Sequence, residues 1–566
     1  MWHHAGMFLP TTREEMDDRG WDQLDVILVT GDAYIDSPFI GVAVVGHVLA
    51  DVGYRVGIIA QPDIHTADDI TRLGEPALFW GVSGGSIDSM VANHTALGKP
   101  RRSDDYTPGG RNERRPNRAV IVYTNLIKRY AKGAPIVLGG VEASLRRVAH
   151  YDAWDRAVRR SILLDAKADY LIYGMAEQTV LAFADALRFG ENPRRLRGLC
   201  YVDGTPQKGY LELPSYEDVV DRKDAFIDMF HTFYRNNDPR SARGLTQRYA
   251  NRYLIHNPPA PYMTQKELDA VYALDFEREA HPYYAKQGPI KALETIKFAV
   301  NTHRGCYGEC TFCAIGVHEG RTIRWRSPES IEAEVRQLAR RPDFKGIIQD
   351  VSAPTVNMYG FECAKKLRQG ACQDRRCLYP DVCPSLPVDH SRHLELLRRL
   401  RKVPGVKKVF VSSGMRYDLL LADEAHGDDY LREVVRHHVS GQMKVAPEHS
   451  EEHVLEAMGK PGPEALLAFR ERFRQATEEA GLPQFLTYYI IAAHPGCTAG
   501  DMHRLRDFAA SELGVLPEQV QIFTPTPSTY ATLMYYTETD PFTGDPIFVE
   551  KSFRGKRRQK RILTEQ

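Results

Sequence analysis

In the first part of the chain, the pattern of hydrophobic and polar positions alternates between short apolar runs and helical segments. The apolar runs are rich in β-branched residues, as buried parallel strands are, and they occupy residues 25–30, 54–60, 78–82, 135–138 and 170–173. After the first run, Pro38 opens a segment with apolar residues at helical spacing, and Gly53 stands where a helix C-cap belongs. This alternation predicts a doubly wound parallel sheet, which binds ligands beyond the carboxyl ends of its strands.

A second series of strand candidates begins near residue 298. The clearest helix between them follows Ser327, a predicted N-cap, with Pro328 at the first helical position. Six strands with intervening helices predict an α/β barrel, complete or partial, whose chemistry lies at the carboxyl ends of the strands. The six candidates are residues 298–303, 346–351, 408–413, 442–446, 485–492 and 519–524, and the polar residues at their ends include Arg304, Asp350, Arg416, Glu448, His449 and His494.

These patterns predict four regions. Residues 1–205 form an α/β domain, residues 206–290 a helical connector, residues 291–540 the barrel, and residues 541–566 a basic C-terminal tail that we expect to be a disordered end. Residues 99–117, which are charged and rich in Pro and Gly, are predicted to form a solvated surface loop, with a contact to a phosphate-bearing substrate as the alternative.

Composition narrows the class of protein. The chain has 566 residues, 43% hydrophobic and 26% charged, which excludes a disordered, collagen-like or coiled-coil protein. Lys plus Arg and Asp plus Glu both number 74, so a global basic field for nucleic acid is absent, although a local basic patch is not excluded. No apolar run approaches the roughly 18 residues of a membrane helix, and the start has no signal-peptide pattern. We therefore expect a cytoplasmic protein whose nine cysteines are reduced thiols.

The most informative segment is a cysteine run at residues 301–327. Cys306, Cys310 and Cys313 are spaced C-x3-C-x2-C, and Gly305 and Gly308 permit the tight backbone that convergence of three thiolates requires. Thiolates suit zinc or iron–sulfur clusters. Three nearby ligands would leave one iron of a four-iron cluster open to bind a small molecule, whereas a partial structural zinc site is the alternative.

A second cysteine group lies within the barrel region, as an insertion near 363–383. Its spacing matches no standard zinc ribbon, so two interpretations stay open: an auxiliary iron–sulfur cluster or zinc that ties the loop over the barrel mouth, or free thiols. Cys200 and Cys497 stand alone and are interpreted as ordinary thiols. The members of the second group are Cys363, Cys372, Cys377 and Cys383.

The cysteine run carries the motif of the radical S-adenosylmethionine (SAM) superfamily, including Phe312 before the last cysteine. The chain as a whole resembles the YgiQ-like family of radical SAM proteins. The segments that carry this resemblance are FLPTTREEMDDRGWDQLDVILVTGDAY (8–34), NPPAPYMTQKELDAVY (257–272), RGCYGECTFCAIGVHEGR (304–321), SSGMRYDL (412–419), KVAPEHSEE (444–452) and AHPG (493–496).

The resemblance implies a partial (β/α)6 radical SAM barrel with a [4Fe-4S] cluster held by Cys306, Cys310 and Cys313. It further implies that SAM chelates the open iron and is cleaved reductively to methionine and a 5′-deoxyadenosyl radical, which abstracts hydrogen from a substrate that the resemblance does not define. The electron would come from a donor such as flavodoxin or ferredoxin. The alternatives are an RNA- or ribosome-modifying methyl- or thio-transfer enzyme and a non-catalytic iron–sulfur or zinc protein for electron transfer or regulation.

The chain departs from the family where a Gly-Gly pair would lie near the amino group of SAM. Ser352-Ala353 stand there, before PTVNMY. Ser and Ala allow close backbone approach and positive φ only at a cost, so we expect weakened or rearranged cofactor binding, with the Ser352 hydroxyl as a candidate partner. Arg416 is a candidate partner for the cofactor carboxylate or a substrate phosphate, with a structural ion pair to Asp418 as the alternative. Glu448, His449 and His494 are candidate acids, bases or hydrogen-bond donors.

The first domain resembles the cobalamin-binding fold in residues 135–144 and 168–180. The cobalt-ligating pattern D-x-H-x-x-G is missing after the first strand, and His47 is interpreted as a packed or surface histidine. We therefore expect this domain to have a cobalamin-binding-like fold but not to bind cobalamin. The residues that would line a ligand crevice there are Asp32, Asp36, Gly139 and Gly140, and the alternative is that the glycines only serve the turn.

Overall fold

A computed structural model describes residues 8–565 of the chain. The chain divides into two compact units: unit 1 comprises residues 1–262 and 270–297, and unit 2 comprises residues 263–269 and 298–566. Among the described residues, no helix combines the length and the apolar character needed to cross a membrane.

Unit 1 is built on a nine-stranded sheet with the order β10-β11-β12-β9-β8-β5-β4-β1-β3. The strands from β3 to β8 in this order are parallel, as the sequence predicts, whereas β9 and β12 add antiparallel strands at one side. All strands up to residue 297 are β1 (Val26–Thr30), β2 (Ile35–Asp36), β3 (Val56–Ala60), β4 (Phe79–Ser83), β5 (Ile136–Gly139), β6 (His150–Asp152), β7 (Ala157–Arg159), β8 (Tyr170–Ile172), β9 (Leu199–Asp203), β10 (Leu211–Leu213), β11 (Leu245–Tyr249), β12 (Arg252–His256) and β13 (Glu279–Ala280).

Helices cover both faces of this sheet because the parallel strands are apolar on both sides. The predicted helix after Pro38 is present as α2, with Gly53 just beyond its end at φ 92°. The helices up to residue 297 are α1 (Arg13–Asp17), α2 (Gly41–Asp51), α3 (Asp68–Thr71), α4 (Ser89–Asn93), α5 (Ala119–Tyr130), α6 (Gly140–Leu145), α7 (Ile162–Ala166), α8 (Glu177–Arg188), α9 (Tyr216–Asp221), α10 (Lys223–Arg235), α11 (Gln265–Tyr272), α12 (Pro282–Ala285) and α13 (Ala292–Ile296).

The predicted helical connector at 206–290 is wrong in part. Residues 211–213, 245–249 and 252–256 are strands of the unit 1 sheet, and β11 and β12 form an antiparallel hairpin. The hairpin turns at Ala250 and Asn251, and Ala250 has φ 51°. This turn lacks the glycine that usually marks a two-residue hairpin loop, and the hairpin was therefore not predicted.

Unit 2 contains the predicted six parallel strand positions of a partial barrel. The first strand β14 pairs with β18, β17 pairs with β19, and β20, β21 and β22 form a continuous parallel ladder. A parallel bridge between Met415 and Val445 links the third and fourth positions. The strands of unit 2 are β14 (Ala299–Asn301), β15 (His303–Arg304), β16 (Arg324–Trp325), β17 (Ile347–Ile348), β18 (Asp350–Ser352), β19 (Lys408–Val409), β20 (Gln442–Glu448), β21 (Phe485–Ala492) and β22 (Gln519–Ile522).

The core of unit 2 lies between these strands and the helices that surround them. Ile331, Val335 and Leu338 are buried on one face of α15, and Ser327 caps that helix through its hydroxyl group, as predicted. The helices are α14 (Ile315–His318), α15 (Pro328–Ala339), α16 (Ala364–Gln369), α17 (Ser391–Arg401), α18 (Tyr417–Ala422), α19 (Gly427–His437), α20 (Glu452–Met458), α21 (Pro463–Ala480), α22 (Ala499–Phe508), α23 (Tyr530–Thr537) and α24 (Phe553–Thr564).

The basic segment at the end of the chain is not the predicted disordered tail. Residues 553–564 form α24, which packs on α22 and buries Lys556, Gln559 and Leu563. These three residues fall on one side of the helix, opposite the arginines. The prediction missed this spacing because most residues of the segment are charged. The C-terminal segment is therefore part of unit 2.

Candidate functional site

The cysteine run forms a loop that follows β14 and β15, at the carboxyl end of the first barrel strand. Gly305 has φ 80°, and a Cβ atom there would lie 2.5 Å from the Thr322 carbonyl oxygen, so only glycine fits. A Cβ atom at Gly308 would lie 3.2 Å from the Cys306 sulfur and 3.6 Å from the Cys310 sulfur. The two glycines thus let the chain wrap closely around the thiols, as the sequence predicts.

The thiols of this loop are desolvated and receive hydrogen bonds. The Gly308 amide donates to the Cys306 sulfur at 3.2 Å, and the Thr355 hydroxyl oxygen lies 3.4 Å from the same sulfur. Burial is the main cause that raises the pKa of Cys306 and of Cys313, and the neighbouring Cys310 sulfur raises both further. Such clustered buried thiols become stable thiolates when a metal cation neutralises them.

The spacing of these sulfurs suits a polynuclear cluster better than one zinc ion. Zinc at about 2.3 Å from each thiolate brings tetrahedral sulfurs to about 3.8 Å from one another. Two groups of three ligand atoms within 4.8 Å of one another occur in the described chain, and neither contains a cysteine. The residues present therefore fit a cluster with several iron atoms, whose cysteine sulfurs lie farther apart.

Arg416 reaches the same loop from the third barrel position. Its Nε donates to the Asp418 carboxylate at 2.7 Å, Nη2 donates to the other carboxylate oxygen, and Nη1 lies 3.6 Å from the Cys310 sulfur. Burial lowers the pKa of the Arg416 guanidinium, but the Asp418 carboxylate is the main cause that opposes this effect, and the pKa is raised overall. The predicted ion pair with Asp418 is thus present, and it aims the remaining N–H groups at the cysteine loop.

Two residues of PTVNMY that were not predicted as site residues support this arrangement. Asn357 accepts a hydrogen bond from the Arg416 amide at 2.9 Å and donates to the Arg416 carbonyl at 2.8 Å. Thr355 presents its hydroxyl group to Cys306. Only their place after the second barrel strand was a signal that they lie at the carboxyl edge.

Ser352 and Ala353 do not carry the expected backbone strain. Neither residue is among those with positive φ, so the replacement of a Gly-Gly pair costs no conformational energy there. The Ser352 hydroxyl lies 3.2 Å from the Ser413 hydroxyl, which in turn donates to Asp350. The predicted backbone strain at Ser352 and Ala353 is therefore wrong.

Glu448 ends the fourth barrel strand in an unusual backbone conformation. It has φ 70°, and its carboxylate is buried with Oε1 3.9 Å from the Lys460 ammonium. Burial raises the pKa of Glu448, while Lys460 and Arg416 oppose that shift. Lys460, also buried, donates to the Ala446 carbonyl at 2.6 Å and was missed by the sequence interpretation. Strained, buried and charged residues of this kind concentrate at functional sites.

His449 and His494 have the character of supporting residues. Burial lowers the pKa of His449 to about 3 and that of His494 to about 4, so both rings are neutral. His449 Nδ1 accepts from the Glu451 amide, and His494 Nε2 lies 3.5 Å from the Thr311 hydroxyl oxygen inside the cysteine loop. The structure brings His494 to the loop that holds the thiols.

The second cysteine group packs beneath the first. Cys363, Cys377 and Cys383 are buried in one apolar cluster with Tyr307, the residue after Cys306. Burial raises the pKa of Cys377 to about 11, with the nearby Lys366 ammonium opposing it. Among the described residues, no three of these sulfurs lie within the 4.8 Å that would suit one zinc ion.

The crevice predicted in unit 1 lies between β1 and β4, where the strand order reverses direction. It is filled by Arg115, whose fully buried guanidinium donates to the Gly31 carbonyl at 3.0 Å and to Asp32 at 2.7 Å. A Cβ atom at Gly31 would lie 2.2 Å from the Gly84 carbonyl oxygen. The prediction that residues 99–117 form only a solvated surface loop is wrong, because Arg115 and Asp104 of this loop are buried.

The other residues predicted for this crevice are engaged within the fold. Asp36 lies 2.6 Å from the His47 ring, so His47 is a packed histidine, as predicted. Gly140 has φ 79°, and a Cβ atom there would lie 2.5 Å from the Ser83 hydroxyl oxygen. Gly139 precedes it at the end of β5 as the N-cap of α6. The glycines therefore serve the strand-to-helix turn.

Comparisons with known proteins identify the same two parts of the chain. The model for the Radical SAM N-terminal family matches residues 8–299, and the Radical SAM superfamily model matches residues 300–509. In the solved structure of OxsB, a cobalamin-dependent S-adenosylmethionine radical enzyme with aqua-cobalamin bound, the similarity reaches a TM-score of 0.51 at 12% identity. It covers 94% of the present chain and 58% of OxsB, and it concerns the fold.

Closer relatives cover the whole length. A UPF0313 protein of Fusobacterium nucleatum is 54% identical over 560 residues, which are 99% of each chain. A UPF0313 protein of Thermotoga maritima is 49% identical over 558 residues, which are 98% of each chain. The chain therefore belongs to the UPF0313 family, which is the YgiQ-like family of radical SAM proteins, and it is a radical SAM iron–sulfur enzyme.

Proposed function

We propose that Cys306, Cys310 and Cys313 hold a [4Fe-4S] cluster and that SAM binds at the iron they leave open. The observation that carries this proposal is the convergence of three partly buried thiols and one guanidinium at the carboxyl end of the barrel. When bound, the cluster supplies the electron that cleaves SAM reductively to a 5′-deoxyadenosyl radical, which abstracts hydrogen from a substrate.

The residues around the thiols stabilise thiolate sulfur. Gly308 presents its amide to Cys306, Thr355 presents its hydroxyl to the same sulfur, and Arg416 faces Cys310. Hydrogen bonds to cluster sulfurs and low solvent exposure are among the features by which a protein sets the potential of an iron–sulfur cluster. We assign Arg416 to this role in preference to the predicted role as a partner of the cofactor carboxylate, because Asp418 occupies two of its nitrogens.

Ser352 remains our candidate contact for the cofactor. Its hydroxyl belongs to a network with Ser413 and Asp350 at the end of the second barrel strand. Burial raises the pKa of Asp350, and the hydrogen bonds from Ser413 and Ser412 counter that shift. A carboxylate held at the barrel rim can accept hydrogen bonds from an amino group, such as that of SAM.

The test is the formation of 5′-deoxyadenosine by anaerobically reconstituted protein with SAM and dithionite. Wild-type protein and a Cys200→Ala control in unit 1 should both form the product. Cys306→Ala protein should form none above the reagent background. Product from Cys306→Ala at the wild-type rate would refute the assignment of ligands.

We further propose that unit 1 does not use cobalamin. A cofactor tail entering between β1 and β4 would have to displace Arg115 from Asp32 and Asp104, and breaking such a buried ion pair typically costs about 3–5 kcal/mol. The test is incubation with hydroxocobalamin followed by gel filtration and absorbance. Protein free of corrinoid is expected, and one equivalent retained would overturn the proposal.

The reductant would be a flavodoxin or ferredoxin, and the protein would act in the cytoplasm. An RNA- or ribosome-modifying reaction is the second candidate function, and it is favoured by the exposed basic face of α24. A non-catalytic electron-transfer role is disfavoured because such a cluster would need a fourth protein ligand.

A further inference from the structure

The outer face of α24 carries a stripe of arginines. Arg554, Arg557, Arg558 and Arg561 are all exposed and follow the i, i+3, i+4, i+7 spacing that puts residues on one side of a helix. Between Lys551 and Arg561 the chain has seven lysines and arginines and no carboxylate, although the whole chain has equal numbers of both charges. The stripe is therefore a local field on an otherwise neutral protein.

Most of these arginines have no ion partner. Arg561 pairs with Glu565 at 2.8 Å, whereas Arg554, Arg557 and Arg558 face no carboxylate at salt-bridge distance within the part of the chain that the structure describes. Some arginines elsewhere in unit 2 are paired: Arg472 lies against Asp428, and Arg474 lies against Glu471 and Glu478. The guanidinium groups of α24 are thus available to an external anion.

The helix is fixed to unit 2 through its opposite face. The Lys556 ammonium donates to the Tyr535 hydroxyl at 3.0 Å and lies 4.7 Å from the centroid of that ring. Gln559 accepts from the Ala493 amide at 2.8 Å and donates to the Cys497 carbonyl at 2.9 Å. Because this face is buried, the arginines are held in a fixed array, and binding would not require ordering a disordered segment.

This anchorage puts the helix against a loop at the carboxyl end of the barrel. Ala493 and Cys497 bound the loop after β21, at the carboxyl end of the barrel. His494 of this loop has its ring centroid 6.1 Å from that of Phe312, between Cys310 and Cys313. A molecule that lies along α24 would therefore be beside the barrel mouth.

Aromatic rings accompany the basic stripe. The segment that leads into α24 and its first residue expose three phenylalanines: Phe542 is 50%, Phe548 48% and Phe553 44% exposed. The Phe548 carbonyl accepts from the Gly496 amide, so this segment runs along the same loop as the helix. Rigid cations for the backbone and aromatic faces for the bases are the two components of sites for single-stranded nucleic acid.

We propose that α24 and the segment before it bind single-stranded nucleic acid and guide it to the barrel mouth. Two observations favour this ligand over an acidic protein. The stripe uses arginine, whose planar fork matches phosphate, at each of its four positions. The exposed phenylalanines offer stacking surfaces that a purely electrostatic contact with an acidic protein would not use. The proposal goes beyond the radical chemistry, because binding does not depend on the cluster.

The experiment is a titration of fluorescein-labelled 20-nucleotide oligo(U) and oligo(dT) with the reconstituted full-length protein, followed by anisotropy at several salt concentrations. We expect binding of both strands that weakens as salt rises. The variant R554Q/R557Q/R558Q should bind at least about 10-fold more weakly, and the slope of log K against log salt should fall in magnitude by about 2, as for three lost phosphate contacts.

The matched control removes three other exposed arginines of unit 2, R432Q/R472Q/R474Q, and it should bind as the wild type does. Phe548→Leu should weaken binding by about fivefold or more with an unchanged salt slope, since it removes stacking and no charge. Equal melting temperatures will show that each variant is folded.

Three outcomes would overturn the proposal: no binding by wild-type protein, an equal loss in the control variant, or competition by poly-glutamate as effective as that by unlabelled oligo(U). The last outcome would assign the surface to an acidic protein. Since Cys306→Ala protein should bind the strands normally, failure here is distinguishable from failure of the cluster assignment.

Discussion

The Arg416 guanidinium directs one nitrogen to the Cys310 sulfur at 3.6 Å, while Asp418 binds its two other nitrogens. This geometry fixes a positive charge beside a sulfur that we assign to the cluster. Hydrogen bonds and positive charge at a cluster sulfur stabilise the reduced, more negative state. Arg416 is thus placed to raise the reduction potential of the cluster.

Replacing Arg416 by Gln is therefore expected to make the cluster potential more negative by about 60 mV or more. This shift corresponds to the loss of one charge-assisted hydrogen bond of about 1.4 kcal/mol in a one-electron couple. The measurement is a redox titration followed by EPR of the reduced cluster. Arg432→Gln, which changes an exposed arginine remote in sequence from the loop, is the control, and an equal potential in Arg416→Gln and wild type would contradict the assignment.

The triple variant C306A/C310A/C313A is expected to lose the four-iron cluster completely, because no thiolate remains at the proposed centre. Iron analysis and EPR after anaerobic reconstitution measure this loss. In wild-type protein the EPR spectrum should change on addition of SAM. A four-iron signal that persists in the triple variant would show that other cysteines bind the cluster.

Restoring the glycine pair of the family should not improve cofactor binding. The variant S352G/A353G gains no relief of strain, since neither residue has positive φ, and it loses the contact between the Ser352 and Ser413 hydroxyl groups. We expect SAM affinity to fall by about 2- to 10-fold, the value of one hydrogen bond. Equilibrium dialysis with labelled SAM measures it, and tighter binding would refute this account.

The second cysteine group is expected to bind no stoichiometric zinc. Its buried thiols are packed among apolar side chains, and no three of its sulfurs have the spacing of one zinc site within the described residues. Metal analysis of the C306A/C310A/C313A protein isolates this group from the first. One equivalent of zinc in that protein would contradict the prediction, and iron there would indicate an auxiliary cluster.

His150 in unit 1 should make the fold sensitive to acid. Burial, and then the Arg146 charge, lower its pKa to about 4. Because the folded pKa is lower than the unfolded one of about 6.5, the stabilisation is complete above pH 6.5 and is lost as pH falls toward 4. Between pH 7.5 and pH 5.0 this group alone should remove about 2 kcal/mol from the free energy of unfolding.

His150→Gln lacks the titrating group and should show a pH dependence smaller by that amount. Urea unfolding followed by tryptophan fluorescence at the two pH values provides the comparison. An identical pH dependence in wild type and variant would show that His150 is not the group responsible.

Much of the architecture was predictable because buried strands leave a strong local signal. The runs 25–30 and 485–492 are apolar and bounded by polar or glycine residues, and both are strands within one residue of the expected limits. The β11–β12 hairpin was missed because its turn uses Ala250 instead of glycine. The helix α24 was missed because its three anchoring residues are sparse among cations, and only packing against α22 makes them a buried face.

The site was predictable as far as it is local in sequence. Cys306, Cys310 and Cys313 lie within one loop, so their spacing alone indicated a common centre. Thr355, Lys460 and Arg115 each act across more than about ten residues of sequence, and nothing in their immediate neighbours shows which sulfur or carboxylate they face. Such contacts are determined by the tertiary fold, which single-sequence patterns do not encode.

Ala493, directly after the fifth barrel strand, has φ 59°, a conformation that glycine adopts freely and alanine does not. Its amide is held there by Gln559 of the C-terminal helix. A glycine at this position would relieve strain of about 1 kcal/mol. The substitution Ala493→Gly should therefore raise the thermal stability of the protein without altering the cysteine loop.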